Sequence, residues 1–159
     1  MRPSIIVALI LGLAGVLSAQ SPTCSYRSCG LTIVPTWNGL AVDRLEQRAR
    51  VANLNFFVPR DVAAGLRGPD VNAPGADSTV WHSRRALRLR RLGATLTDAG
   101  LLVIAGAALR SAHAGRVSRR DEALAGAGVV LVITSVPFQF AADGALSRAV
   151  WWHNARYAR

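Results

Sequence analysis

Four groups of side chains in the sequence could carry chemistry or specific recognition. Asp98 and Asp143 lie within or beside long apolar stretches, and Cys24 and Cys29 stand five positions apart. His82, His113 and His153 are scattered along the chain, and a dense arginine run extends from Arg84 to Arg91. Paired carboxylates serve aspartyl hydrolysis, one as acid and one as base. Zinc sites need four ligands, which two thiolates and three dispersed imidazoles do not supply. Cys24 and Cys29 do not have the Cys-x-x-Cys spacing of redox motifs, so an even pair in an exported chain reads as a disulfide stapling a local turn. The sequence contains no Walker-type phosphate loop, G-x-S-x-G elbow or H-E-x-x-H pair, nor a spaced Ser, His and Asp set. No catalytic residue, metal or cofactor is therefore expected.

The elements that hold these residues are set by apolar runs. Over 159 residues the hydrophobic fraction is 51%, the mean hydropathy is +0.26 and the formal net charge is +10. A charged content of 18% is low beside the quarter or so typical of soluble domains. All 19 basic residues are arginine, which reads as compositional bias more than as selection at a site. Residues 1–19 have the form of a signal peptide: Arg2 precedes the apolar run from Ile5 to Leu17, and Ser18 and Ala19 supply the small residues. Ser21, Pro22 and Thr23 do not resemble the segment that precedes an acylated cysteine, so Cys24 is not read as a lipidation site.

Leu92 to Leu109 is an 18-residue run whose only ionisable member is Asp98, and Ala123 to Ala142 is a 20-residue run with no charge. Both lengths suit membrane crossing. The expected fold is a small membrane protein, a two-helix transmembrane α-hairpin with a β-rich exported N-terminal segment. Its divisions are an exported segment over 20–77, a juxtamembrane helix over 78–110 running into a first span at 92–109, a polar loop at 111–122, a second span at 123–147 and an interfacial tail at 148–159. Asp77 and Ser78 are candidate caps for the first helix. Gly93, Thr97 and Gly100 fall on one helical face suited to close packing, and Gly126 and Gly128 open the second helix. Pro137 should free a carbonyl that Thr134 or Ser135 can help satisfy.

Residues equally far from the loop of an antiparallel hairpin share a depth, at about 1.5 Å per residue. On that register Asp98 meets Thr134 and Ser135, forming an intramembrane polar group. Asp143 reaches the level of Leu89, which predicts a salt bridge to Arg88 or Arg91 at the interface. The two aspartates differ in depth by about 13 Å, too far for acid–base cooperation. Arg84, Arg85, Arg90, Trp151 and Trp152 are expected at lipid headgroups, because arginine stems snorkel and tryptophan favours the interface.

In the exported segment, Leu31 to Val34, Leu40 to Val42 and Arg50 to Pro59 read as strands, with an Asn38-Gly39 turn between the first two. Gly68 to Gly75 reads as linker. Trp37, Phe56 and Phe57 are read as a small core, with a partner-contact patch as the alternative. Export of the N-terminus leaves Arg110, Arg116, Arg119 and Arg120 inside and more arginine outside, which runs against the positive-inside preference.

These features point to a non-catalytic interaction or accessory subunit of the cell envelope, in a bacterial inner membrane. Its partners would be membrane lipid together with a membrane protein or a second copy of the chain. No nucleic acid is expected, since both basic clusters adjoin membrane spans on the exported side. The alternatives are a proton- or ion-coupled component using Asp98 and an anionic-lipid-binding protein using the arginine cluster.

Overall fold

A computed structural model describes residues 24–57, 59–66 and 75–157. The expected leader at 1–19 and most of the Gly68 to Gly75 linker lie outside these described residues. The elements run α1 (Tyr26–Cys29), β1 (Leu31–Thr36), β2 (Gly39–Arg44), β3 (Arg50–Asn55), α2 (Ala63–Leu66), α3 (Ala76–Ala114) and α4 (Arg119–Ala155).

The strands form one antiparallel sheet in the order β1-β2-β3. Thr36 pairs with Gly39, so Trp37 and Asn38 fill the two-residue turn and the hairpin tip is shifted one residue from the Asn-Gly reading. Gly39 adopts φ 147°, and a Cβ there would meet the Leu54 carbonyl oxygen at 2.3 Å. Glycine is thus required beside the turn because β3 passes so close. Alternation sends Leu31, Val42, Ala52 and Leu54 to one face, where they join Val62 and Leu66 in the core. Trp37 is 91% exposed and Phe57 is also exposed, so the expected aromatic core is not formed. The aliphatic residues of the alternating face take that place.

The core is completed by the helices. Ala86 and Leu87 of α3, with Ala142, Ala145, Leu146, Ala149 and Val150 of α4, pack under the sheet. Both helices are long and apolar enough to cross a membrane, and they pack against each other. At 39 and 37 residues they extend about 58 and 56 Å, nearly twice the thickness of a hydrocarbon layer. One end of the hairpin carries the sheet. The other presents Leu92, Leu101, Leu102, Leu109, Leu124, Val129, Val130, Ile133, Val136 and Phe140 on its surface. Only 22% and 11% of the most apolar windows of α3 and α4 are buried. Core helices of a globular domain would bury most of such windows.

Helix ends differ from the sequence divisions in three places. The turn between α3 and α4 shrinks to Gly115 through Ser118, because Ser118 and Asp121 form a reciprocal capping box. Gly115 closes α3 in the left-handed conformation at φ 63°. The N-cap of α3 is Gly75, with no side-chain cap, so Asp77 and Ser78 fall inside the helix. The expected tail is helical through Ala155, because Ala149, Val150 and His153 are buried at the sheet-bearing end.

Candidate functional site

The densest polar chemistry lies where the sheet meets the hairpin. Cys24 and Cys29 are joined by a disulfide, with Cα atoms 5.6 Å apart. The bridge ties down the turn of α1 that leads into β1. At the same end of α4, Asn154 acts as a substitute neighbouring strand for the edge of β1. The Leu31 N–H donates to Asn154 Oδ1 at 2.8 Å, and Asn154 Nδ2 donates to the Leu31 carbonyl at 2.9 Å. An edge strand is thereby covered at its first residue.

His153, buried beside Asn154, sets its ring between two carbonyl oxygens, that of Leu66 at 3.2 Å from Nδ1 and that of Cys29 at 3.1 Å from Nε2. A neutral imidazole has one N–H and donates to only one of them at a time. Burial holds the imidazole below its ordinary pKa; the Cys29 and Leu66 carbonyls pull the other way, and Arg156 and Arg44 reinforce the depression. The histidine is a structural link between α4, the disulfide turn and α2.

About 15 Å nearer the exposed apolar belt, level with Asp143 of α4, lies Arg90, whose side chain is fully buried. Its guanidinium donates to Gln139 Oε1 and forms an ion pair with Asp143 Oδ1, and it stacks 4.7 Å from the centre of the Phe56 ring. One arginine therefore joins α3, α4 and the residue that follows β3. Arg90 Nε has no hydrogen-bond partner. Removing one member of a buried pair leaves the other charge uncompensated, at a cost of about 3–5 kcal/mol.

The predicted residues are placed differently in several cases. Asp143 pairs with Arg90, not with Arg88 or Arg91, both of which are exposed. The depth estimate was within one residue, and helix phase decides the choice. Arg90 lies on the face that continues through Gly93, Thr97 and Gly100, whereas Arg88 and Arg91 are rotated outward. For the same reason Arg90 is removed from the expected headgroup contacts.

The Asp98 polar group is also corrected. Asp98 is exposed and enters none of the ion pairs among the described residues. Thr97, its neighbour on the contact face, donates instead to Ser135 Oγ at 2.8 Å. Thr134 donates to the Val130 carbonyl and Ser135 to that of Val132, so neither hydroxyl serves the Ile133 carbonyl that Pro137 leaves without its helical N–H. Arg84 and Arg85 are exposed on α3. Trp151 and Trp152 stand about 12 Å beyond Asp143 along α4, at the sheet-bearing end, where the Trp152 ring covers Gly75.

Gln139, His153, Asn154 and the stacking of Phe56 were not anticipated from sequence. Extending the Gly93, Thr97 and Gly100 face by three residues would have found Arg90. Nothing in the sequence pattern marks Asn154 as the partner of Leu31, a residue 123 positions away. Among the described residues, no group of three or more His, Cys, Asp or Glu side chains is placed to hold a metal ion.

No family model, curated protein or solved structure matches the chain.

Proposed function

We propose that the chain is a small integral membrane protein of the cell envelope, a non-catalytic interaction or accessory subunit whose helical hairpin spans the bilayer and holds a disulfide-stapled sheet on the exported side. The observation that carries this reading is the exposed apolar belt of α3 and α4 below the sheet. From Leu92 to Leu109 the belt extends about 26 Å, close to a hydrocarbon thickness of about 30 Å. In water such a surface would be an aggregation hazard. The rest of each helix is the part that packs on the sheet, which accounts for helices far longer than a bilayer requires.

The Cys24–Cys29 bridge supports an oxidising compartment for the head. Trp37, at the hairpin tip, and Phe57 leave large aromatic surfaces uncovered, in keeping with a partner that meets the head rather than the spans. The test combines alkaline extraction of membranes with labelling by an impermeant maleimide. We expect the chain to stay in the alkali-resistant pellet. In intact cells a cysteine at Glu46→Cys should be labelled from outside and one at Ser118→Cys protected. Release by alkali would overturn the membrane reading, and the opposite labelling pattern would overturn the orientation.

A further inference from the structure

The outward face of α3, opposite the buried Arg90, carries an open groove of about 360 Å³ lined by Trp81, Arg85, Arg88, Leu89 and Leu92. We propose that this groove is a binding site for one anionic phosphoglyceride, with the phosphodiester held by Arg85 and Arg88 and the upper acyl methylenes against Leu89 and Leu92. The proposal rests on the reading that the helices span a bilayer.

Three features of the groove favour this ligand. The first is order along the axis. Leu92 is where the exposed apolar belt begins, Arg88 stands about 6 Å above it and Arg85 about 10 Å. A headgroup layer is about 5–7 Å thick on each side of the hydrocarbon, so Arg88 stands in its outer part and Arg85 just above it, while Leu92 meets the chains and Leu89 lies between chains and phosphate.

The second is charge. Arg85 and Arg88 are exposed and enter none of the ion pairs among the described residues, and no acidic side chain among the described residues lines the groove. Asp143, the acidic group nearest in depth, is engaged on the other side of α3 by Arg90. Arg148 of α4 adds to the same positive field, since it and Arg85 both act on His82, whose imidazole is held below its ordinary pKa by burial and by these two guanidiniums.

The third is order in the arginines themselves. The Arg85 guanidinium lies 5.3 Å from the centre of the Trp81 ring, a cation–π contact that leaves its edge donors free for phosphate oxygens. A guanidinium presents its donors as a planar fork matched to phosphate, and stacking reduces the freedom lost on binding. The remaining groove surface is apolar, which suits a lipid that brings its own hydrocarbon.

The protein, purified and reconstituted in mixed phosphatidylcholine and phosphatidylglycerol vesicles, is released into the gas phase and its retained lipid weighed by native mass spectrometry. Wild type is expected to retain one phosphatidylglycerol in preference to phosphatidylcholine. Arg85→Gln/Arg88→Gln should weaken that preference about tenfold or more. Arg84→Gln/Arg91→Gln removes the same charge from outside the groove and should weaken the preference clearly less, because it costs general surface attraction but no fork contact in the groove. Equal losses in the two double variants, or no loss in the first, would overturn the site. Displacement of the lipid by excess inorganic phosphate would assign the arginines to a free anion and also defeat the proposal. Alkaline extraction of the same preparations separates the two readings: a variant that stays in the membrane but loses its lipid preference supports the groove, whereas extraction of the wild type brings down both.

Discussion

At the residue scale, Arg90 is a costly group to bury, and it ties α3 to α4 and to the residue that follows β3. A guanidinium with no exposed surface is tolerable only where its charge is met; here Asp143 and Gln139 take its two terminal nitrogens and the Phe56 ring stacks on it, while Nε has no partner among the described residues. Asp143 keeps about a third of its side chain exposed, so the penalty of breaking the pair is asymmetric. Arg90→Met leaves a carboxylate with access to solvent, whereas Asp143→Leu strands a buried cation. We expect Asp143→Leu to cost about 3–5 kcal/mol and Arg90→Met less, while the double variant recovers much of the loss, because two apolar side chains can replace a buried pair at little net cost. Unfolding of the head in mild detergent, followed by limited proteolysis, measures the cycle. Additive single effects would show that the pair is uncoupled and that its geometry carries no energy.

At the element scale, the two helices touch through glycine. A Cβ on Gly100 would lie 2.6 Å from the Gly128 carbonyl oxygen, and one on Gly128 would lie 2.6 Å from Ile104 and 2.7 Å from the Gly100 oxygen. This is a backbone-on-backbone crossing, the means by which helices associate where water cannot drive them together. Gly106 and Gly126 meet nothing within 4 Å, so Gly126 does not belong to the contact. Gly100→Leu or Gly128→Leu should therefore separate the helices and destabilise the chain by about 2 kcal/mol or more, while the same change at Gly106 or Gly126 stays within about 0.5 kcal/mol. Helix separation read from cross-linking between cysteines placed across the hairpin distinguishes these outcomes, and equal effects at all four glycines would contradict the crossing. The contact face of α3 was legible in sequence because Gly93, Thr97 and Gly100 repeat at helical spacing. The strands were legible through alternation and the turn residues. The docking of sheet on helix was not, because it depends on side chains more than a hundred positions apart, such as Asn154 with Leu31, and local periodicity does not encode which edge a helix end will cover. Likewise the arginine run read as uniformly interfacial, although helix phase turns Arg90 inward and its neighbours outward.

At the scale of the whole molecule, the proposed membrane placement asks unequal contributions of α3 and α4. The span in α4 has no charge over 20 residues, whereas that of α3 contains Asp98, exposed about 9 Å from Leu92 and about 16 Å from Leu109 along the axis. Thr97, the hydroxyl next to it, is committed to Ser135, so Asp98 has no partner on the hairpin's contact face. A carboxylate at such a depth costs about 2.5–3.5 kcal/mol on insertion scales. If the helices cross a bilayer as proposed, the α3 span is marginal by itself and is held there by its glycine crossing with α4 and by the Arg90–Asp143 pair above. In a translocation assay that reports insertion of single segments, residues 92–109 should insert poorly, and Asp98→Leu should shift the balance toward insertion by about 3 kcal/mol. In the full chain the same substitution should change insertion little, because α4 supplies the missing free energy. If the isolated segment inserts equally well with and without the substitution, Asp98 does not reach the hydrocarbon, and the boundary of the bilayer must move toward the loop at Gly115. That shift would also carry Arg85 and Arg88 out of the headgroup layer, so the depth of Asp98 and the lipid groove stand on one placement of the membrane.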